Sequence, residues 1–102
     1  MRTYENMGVN RMNISVPVTV FCPLGPNYYR AEVDIEMELN KVIVDFIDLE
    51  NYFKKELNGK DLTTEELTVE IFNTLDEIYK PIHLKVTSHS NSHFELSITK
   101  EK

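Results

Sequence analysis

Hydrophobic and polar residues alternate along four parts of the chain and recur at helical spacing in the stretch between them. Residues 15–21 and 30–39 alternate first, and this pattern predicts two successive strands, because neighbouring side chains of a strand face opposite sides of the sheet. Residues 82–86 and 94–98 alternate near the C-terminus. They predict a second hairpin, with the polar residues 88–92 as its turn.

Two helices are predicted between these hairpins. Asp45 is suited to cap the first helix, since its carboxylate can accept from free amides of the first turn, and Asn58-Gly59 ends it. Thr63 and Glu66 form a capping box at the start of the second helix, which Pro81 ends. The apolar residues at helical spacing are Phe46, Leu49, Phe53 and Leu57 in the first helix and Leu67, Ile71, Leu75 and Ile78 in the second.

The order of elements is strand, strand, helix, helix, strand, strand, which predicts an α+β fold. A four-stranded antiparallel sheet is expected to carry both helices on one face. Residues 42–44 are predicted to continue the second strand after a kink at Asn40. Residues 1–12 show no periodicity, so we expect a flexible N-terminal arm followed by a single domain over residues 13–102.

The face of the sheet away from the helices is predicted to be polar. Its second strand presents an acidic row: Glu32, Asp34, Glu36 and Glu38. Two interpretations remain open. This face is either the solvated outside of the sheet or the wet interior of a β-barrel made when several sheets join edge to edge. Pro17 places the first strand at a sheet edge or a bulge, because proline lacks the N–H of a central strand.

Composition narrows the class of protein. The chain has 102 residues, a net charge of −6 and one cysteine. Its length suits one hydrophobic core. Its acidic net charge argues against a nucleic-acid partner, because binding to phosphates requires a basic face. No apolar run is long enough for a membrane span, and no secretory signal is visible. A lone cysteine makes a reducing compartment the default, so we expect a cytoplasmic protein.

Three segments resemble the tunnelling-fold (T-fold) superfamily, which includes the 6-pyruvoyl- and 6-carboxy-tetrahydropterin synthases. Asn27-Tyr28 with the strand that follows, residues 42–49 and residues 62–72 are similar to motifs of those synthases. Cys22-Pro23 instead resembles the Cys-Pro of the nitrile reductase of the queuosine pathway and its small amidinotransferase relatives. The resemblance covers residues 13–100 and implies a ββααββ subunit that assembles into a homo-oligomeric barrel.

The resemblance also implies a ligand and a set of site residues. The ligand would be a purine-, deazapurine- or pterin-like ring bound between subunits. Glu65 would anchor the ring, and Cys22 would be the catalytic nucleophile. The other residues at or near family site positions are Thr64, Tyr28, Tyr29, Ser88 and His89.

Several family residues are replaced in this chain. Leu24 and Pro26 stand where the synthases have two zinc-binding histidines, so neither a metal nor another cofactor is expected. Tyr28-Tyr29 stands near the position of the reductase's proton-transferring aspartate. In the final hairpin, Ser88 or His89 replaces the glutamate that binds the pterin of the synthases.

Each candidate residue also has a structural interpretation. Cys22 could be a buried, inert thiol, and Glu65 could be a first-turn acid stabilised by the helix dipole. Tyr28 and Tyr29 could pack at a subunit boundary instead of stacking on a ring. The histidines of the last hairpin could be exposed loop residues rather than metal ligands: His83, His89 and His93.

Three functions remain open at this point. The protein could be an enzyme that uses metal-free cysteine chemistry on a bound heterocycle. It could be a catalytically silent protein that sequesters a nucleotide or pterin derivative, or a plain assembly module with a vestigial pocket. The missing histidines favour the silent protein, whereas the retained Cys22 and Glu65 favour the enzyme.

Overall fold

A four-stranded antiparallel sheet with two helical segments on one face forms the centre of the computed structural model, which describes residues 1–21, 23, 28–91 and 94–101. The strands of this sheet lie in the order β2-β3-β5-β6, and a smaller sheet pairs β1 with β4. The elements are β1 (Thr3–Glu5), β2 (Arg11–Phe21), β3 (Tyr28–Glu38), β4 (Val42–Val44), α1 (Phe46–Asn51), a π-helical segment (Tyr52–Leu57), α2 (Thr64–Tyr79), β5 (His83–Asn91) and β6 (Phe94–Glu101). The predicted α+β class and ββααββ order are therefore confirmed.

Both predicted helix caps are present. The Asp45 carboxylate accepts a hydrogen bond from the N–H of Ile47 at 2.8 Å. In the capping box, the N–H of Glu66 donates to the Thr63 hydroxyl at 3.1 Å, and the N–H of Thr63 donates to the Glu66 carboxylate at 3.0 Å. These bonds satisfy amides that the first turn of a helix otherwise leaves without partners, and so they fix where α2 begins.

The first helix changes its winding halfway along. Its α-helical turns end at Asn51, and Tyr52–Leu57 continues with the wider π-helical winding. This segment still buries Tyr52, Phe53 and Leu57. The apolar spacing predicts one helix here, and it does not distinguish the two windings, because both bring the same large side chains towards the sheet.

The N-terminal segment differs from the predicted arm. Thr3–Glu5 forms β1 and pairs with Val42–Val44, so β4 belongs to a second sheet and does not continue β3. The backbone N–H of Arg2 donates to Asp48 at 2.7 Å, and its guanidinium lies 3.0 Å from Asp45. The Arg2 backbone bond, with support from the guanidinium, holds the pKa of Asp48 below its ordinary value. A three-residue strand gives too short an alternation to be recognised in the sequence.

The start of the main sheet also differs from the expected boundary. β2 begins at Arg11, so the predicted division at residue 13 falls inside a strand. Among the described residues, no helix is both long and apolar enough to cross a membrane.

The core lies between the sheet and the helical segments, as the alternation predicts. Of the β3 side chains, Ala31, Val33 and Met37 are fully buried, whereas Glu32 and Asp34 are exposed on the other face. The remaining fully buried hydrophobic residues are Val18, Val20, Leu57, Leu67, Ile71, Leu75, Leu84 and Val86. Each such side chain contributes about 1.5–3 kcal/mol relative to exposure, so this layer supplies most of the stabilisation.

Tyr79, the last residue of α2, has a buried hydroxyl group. Tyr79 is 1% exposed, and its hydroxyl has no hydrogen-bond partner among the described residues. The Val44 backbone faces the hydroxyl and offsets only part of the cost of burial. Burial accordingly raises the pKa of Tyr79 to about 12. A buried hydroxyl without a partner destabilises the folded state, because it loses its bonds to water.

We expect Tyr79→Phe to stabilise the protein by about 1 kcal/mol at pH 7, because it removes this orphaned hydroxyl. In the wild type, the unfolded chain ionises Tyr79 near pH 10 and the folded chain only near pH 12. The free energy of unfolding should therefore fall as the pH rises between these values, and less steeply in the variant. Urea unfolding at pH 7, 10 and 11 measures both effects.

Tyr4→Phe provides the control, since Tyr4 is 53% exposed and its hydroxyl bonds to Asp45 at the surface. A loss of more than about 1 kcal/mol in Tyr79→Phe at pH 7 would mean that the hydroxyl forms a stabilising hydrogen bond.

Candidate functional site

The two ends of the β2–β3 connection are tied to the segment that precedes α2. The N–H of Phe21 donates to the carbonyl of Lys60 at 2.8 Å, and the N–H of Leu62 donates to the carbonyl of Phe21 at 3.0 Å. The Tyr29 hydroxyl donates to the Leu62 carbonyl at 2.8 Å. The residues flanking the connection are thus held beside the start of α2, although Cys22 itself lies outside the described residues.

The first turn of α2 presents two of the predicted site residues. Thr64 is half-buried, and Glu65 is exposed with no hydrogen bond or ion pair to any described residue. The neighbouring acid, Glu66, already accepts a hydrogen bond from Thr63 in the capping box and is therefore not free to bind a ligand. Glu65 is therefore a carboxylate available to a ligand, held at the positive end of the α2 helix dipole.

Ser88 lies on the inner face of β5 and is fully buried. Its hydroxyl forms a hydrogen bond of 2.8 Å with Thr68, which is also buried. Thr68 in turn donates to the carbonyl of Thr64 at 2.7 Å. This chain connects β5 to the first turn of α2. A ligand would reach the Ser88 hydroxyl only by displacing Thr68, so Ser88 positions the helix rather than lining an open pocket in this structure.

His89 lies on the opposite face of the sheet. Its Nε2 is 3.1 Å from Asp34, its Nδ1 is 3.4 Å from Glu95, and the Ser15 hydroxyl donates to Asp34 at 2.6 Å. One of these four side chains comes from each strand of the main sheet, and together they line an open depression of about 340 Å³. Cross-strand pairs of this kind stabilise a sheet.

The structure brings some of the predicted residues together and separates others. Tyr29, Thr64 and Glu65 belong to segments joined through Leu62 and the start of α2. Ser88 and His89 face opposite sides of β5, since adjacent strand residues alternate, and so they cannot line one cavity within a subunit. The side chain of Tyr28, like Cys22, lies outside the described part of the chain.

The histidines do not form a metal site within the described residues, where no group of three His, Cys, Asp or Glu side chains is arranged to hold an ion. In the His89 cluster, the two carboxylates face different ring nitrogens, so they do not converge on one point. His93 lies outside the described residues.

Sequence reasoning missed two features of this region. The Thr68–Ser88 pair was hidden among the apolar positions of α2, although Thr68 follows Thr64 by one helical turn and could have been recognised from that spacing. The Ser15–Asp34–His89 contacts depend on strand register, which the alternation alone does not fix.

Comparison with known proteins identifies the fold of this chain. No protein-family model matches the chain, and no curated protein matches it. Among solved structures, the crystal structure of the archaeosine synthase QueF-Like in its apo form superimposes with a TM-score of 0.77 at 17% sequence identity. The match covers 91% of this chain and 93% of that chain. At this identity the similarity establishes the fold, so the chain has a QueF-like T-fold.

The T-fold expected from the sequence motifs is therefore confirmed in its QueF-like form. The similarity to the tetrahydropterin synthases rests on the motifs around Asn27, Val44 and Thr63 alone and stays a prediction.

Proposed function

We propose that this protein binds a purine-, deazapurine- or pterin-like ring at the start of α2, in a pocket that a second copy completes. The observation that carries the proposal is the exposed carboxylate of Glu65, which has no partner among the described residues, within a fold shared with an archaeosine synthase over most of both chains. A carboxylate accepts two parallel N–H donors, which is the pattern that the edge of a guanine-like or pterin-like ring presents.

The surroundings of Glu65 support this role. Thr64 lies beside it with its side chain partly accessible, and the Tyr29 ring approaches the same segment through its bond to Leu62. The rigid capping box holds the first turn in place, so the carboxylate is oriented before a ligand arrives. Such preorganisation reduces the entropy lost on binding.

Glu65→Gln is expected to weaken binding of 7-cyano-7-deazaguanine by about 10- to 100-fold. Hydrogen bonds to a charged group contribute about 1.5–3 kcal/mol, and glutamine replaces one acceptor oxygen with a donor. Isothermal titration calorimetry with this ligand and with a pterin measures the change in Kd.

Glu77→Gln is the matched control, because Glu77 is exposed on the same helix far from its N-terminus. Equal affinities of wild type and Glu65→Gln would remove Glu65 as the ring anchor. A loss shared equally by Glu77→Gln would indicate a general effect of net charge.

Two forms of this function differ in what happens after binding. In the first, the thiolate of Cys22 attacks an electrophilic carbon of the ligand without a metal. In the second, the ligand is held unchanged, a form favoured by the replacement of the zinc-binding histidines by Leu24 and Pro26. A covalent adduct between Cys22 and the ligand is expected in the first form and not in the second.

A further inference from the structure

Residues 58–62 pair with the outer edge of β2 and form an edge ladder there. The N–H of Gly59 donates to the carbonyl of Thr19 at 2.8 Å, and the N–H of Thr19 donates to the Asn58 side-chain oxygen at 3.0 Å. Farther along, the N–H and the carbonyl of Phe21 bond to backbone groups of the same segment at 2.8 and 3.0 Å. The edge ladder therefore ties the strand that leads into the β2–β3 connection to the segment that leads into α2.

The first two residues of this segment form the only Asn-Gly pair in the sequence. In such a pair, the backbone nitrogen of the glycine can attack the side-chain carbonyl carbon of the asparagine, because glycine has no Cβ to obstruct the approach. Gly59 has a φ of +82°, and no neighbouring atom lies within 4 Å of where a Cβ would stand. The position thus requires glycine for its left-handed conformation and not for close packing. The same glycine makes Asn58 chemically reactive.

We propose that Asn58 is a site of spontaneous deamidation, and that its bonds to Thr19 keep the reaction slow in the folded protein. The Gly59 nitrogen loses its proton to hydroxide and forms a bond to Cγ of Asn58. The bond from Cγ to the side-chain nitrogen breaks, and this nitrogen takes up a proton and leaves as ammonia. Water then opens the cyclic imide at either carbonyl, which gives aspartate or isoaspartate. The net change replaces the NH₂ group with OH, and nothing is oxidised or reduced.

Thr19 holds both of the reacting groups. The Gly59 N–H donates to the Thr19 carbonyl, so its proton is lost only when this bond opens, as in hydrogen exchange. The Asn58 side-chain oxygen accepts from the Thr19 N–H, and this bond keeps the amide in place. Asn58 and Gly59 are both exposed, so water and hydroxide reach them as soon as the segment opens. The rate of deamidation therefore depends on the opening of the edge ladder.

The two products have different effects on the edge ladder. Aspartate keeps the length of the main chain, and its carboxylate can still accept from the Thr19 N–H. Isoaspartate carries the main chain through its side chain, which adds one carbon atom before Gly59. The extra atom shifts the following residues against β2, so the bonds of Phe21 to this segment are lost. The start of α2 then loses its backbone tie to the end of β2.

The first test compares deamidation of Asn58 in the folded protein with that in the free peptide of residues 56–60, at mildly alkaline pH. Trypsin releases the same peptide from the protein, since Lys55 and Lys60 flank its cleavage sites. Chromatography with mass spectrometry separates the three forms. We expect the folded protein to react about 10- to 100-fold more slowly, because opening breaks two hydrogen bonds. A rate equal to that of the peptide, or no product at all, would overturn the proposal.

The second test is Thr19→Pro, which removes the N–H that holds the Asn58 side chain. Pro17 lies two residues earlier on the same edge, so this edge tolerates proline. Deamidation at Asn58 should become about 3- to 10-fold faster, as expected for the loss of one hydrogen bond. Asn13→Pro is the control, because Asn13 lies on the same edge but far along the strand from Thr19. An unchanged rate in a folded Thr19→Pro variant would refute the role of Thr19.

Wild-type protein in subdenaturing urea gives a test that does not depend on how the variants fold. Hydrogen exchange of the Gly59 amide and deamidation of Asn58 should rise by the same factor, because both require the same opening. Exchange that rises without faster deamidation would show that the edge ladder does not control the reaction, and the proposal would be wrong.

The isoaspartyl form, separated by ion exchange, tests the effect on the edge ladder. It should lose the hydrogen-exchange protection of the Phe21 and Leu62 amides, whereas Asn58→Asp, which has the same charge, should retain it. Protection retained in the isoaspartyl form would refute the predicted release. These measurements need no ligand, so they do not depend on the proposed function.

Titration with 7-cyano-7-deazaguanine then links the modification to the site, and this step alone rests on the proposed function. The isoaspartyl form should bind more weakly than Asn58→Asp, because the edge ladder holds the start of α2, where Glu65 lies. Equal affinities with an opened edge ladder would contradict a pocket at the start of α2 and leave the modification standing. A wild type that deamidates as expected but binds no ring would refute the proposed function alone.

Discussion

Incubation with 7-cyano-7-deazaguanine is expected to raise the intact mass of the protein by one whole ligand, and Cys22→Ala is expected to abolish the increase. The thiolate sulfur forms a bond to the nitrile carbon, one π-electron pair moves to the nitrogen, and the nitrogen takes up a proton. Nothing leaves, so the product is a thioimidate that carries every atom of the ligand. Intact-mass spectrometry under denaturing conditions measures the adduct.

The chain offers a simple control for this experiment, because Cys22 is its only cysteine. Alkylation of the wild type before incubation should block the adduct as completely as Cys22→Ala does. Glu65→Gln should slow adduct formation at low ligand concentration and approach the wild-type rate at saturation, since it weakens binding and leaves the thiol in place.

The other outcomes identify the alternative functions. An adduct that persists in Cys22→Ala would refute thiol attack. A ring compound retained without a covalent bond would favour the sequestering protein, and its release unchanged on denaturation would establish that form. A protein that binds neither a deazapurine nor a pterin would be an assembly module.

The architecture could be predicted because each main element carries a strong local signal. The strict alternation of β3 separates buried Val33 from exposed Asp34, and the capping box at Thr63 fixes the start of α2. β1 could not be predicted, because three residues that pair with a distant strand have no periodicity of their own. The sequence pattern therefore predicts that β4 continues β3, whereas the structure pairs β4 with β1.

The candidate site could be predicted only where a local motif defines it. Glu65 is exposed in the first turn of α2, as the capping-box spacing requires. Ser88 and His89 were grouped by their position in the chain, but strand geometry sends them to opposite faces. The partners of each, Thr68 and Asp34, come from other elements, and tertiary contacts of this kind follow from register and helix packing rather than from local sequence.

Thr68→Val is expected to lower the free energy of unfolding by about 1–3 kcal/mol, because it leaves the buried Ser88 hydroxyl without its hydrogen-bond partner. The shape of the side chain is nearly unchanged, so the loss reports the missing hydroxyl rather than a cavity. Ser88→Ala added to Thr68→Val removes the orphaned group. The double variant should therefore be less destabilised than the sum of the single variants, with a coupling energy of about 1 kcal/mol.

Thr87→Val is the matched control for this cycle, since Thr87 pairs at 3.3 Å with Ser97, which is exposed, so water can replace the bond that the Ser97 hydroxyl loses. It should cost less than about 0.5 kcal/mol. Urea unfolding followed by circular dichroism gives all four values. Additive losses in the cycle would contradict a shared hydrogen bond, whereas coupling would establish that β5 and the first turn of α2, which carries Glu65, are held together by this buried pair.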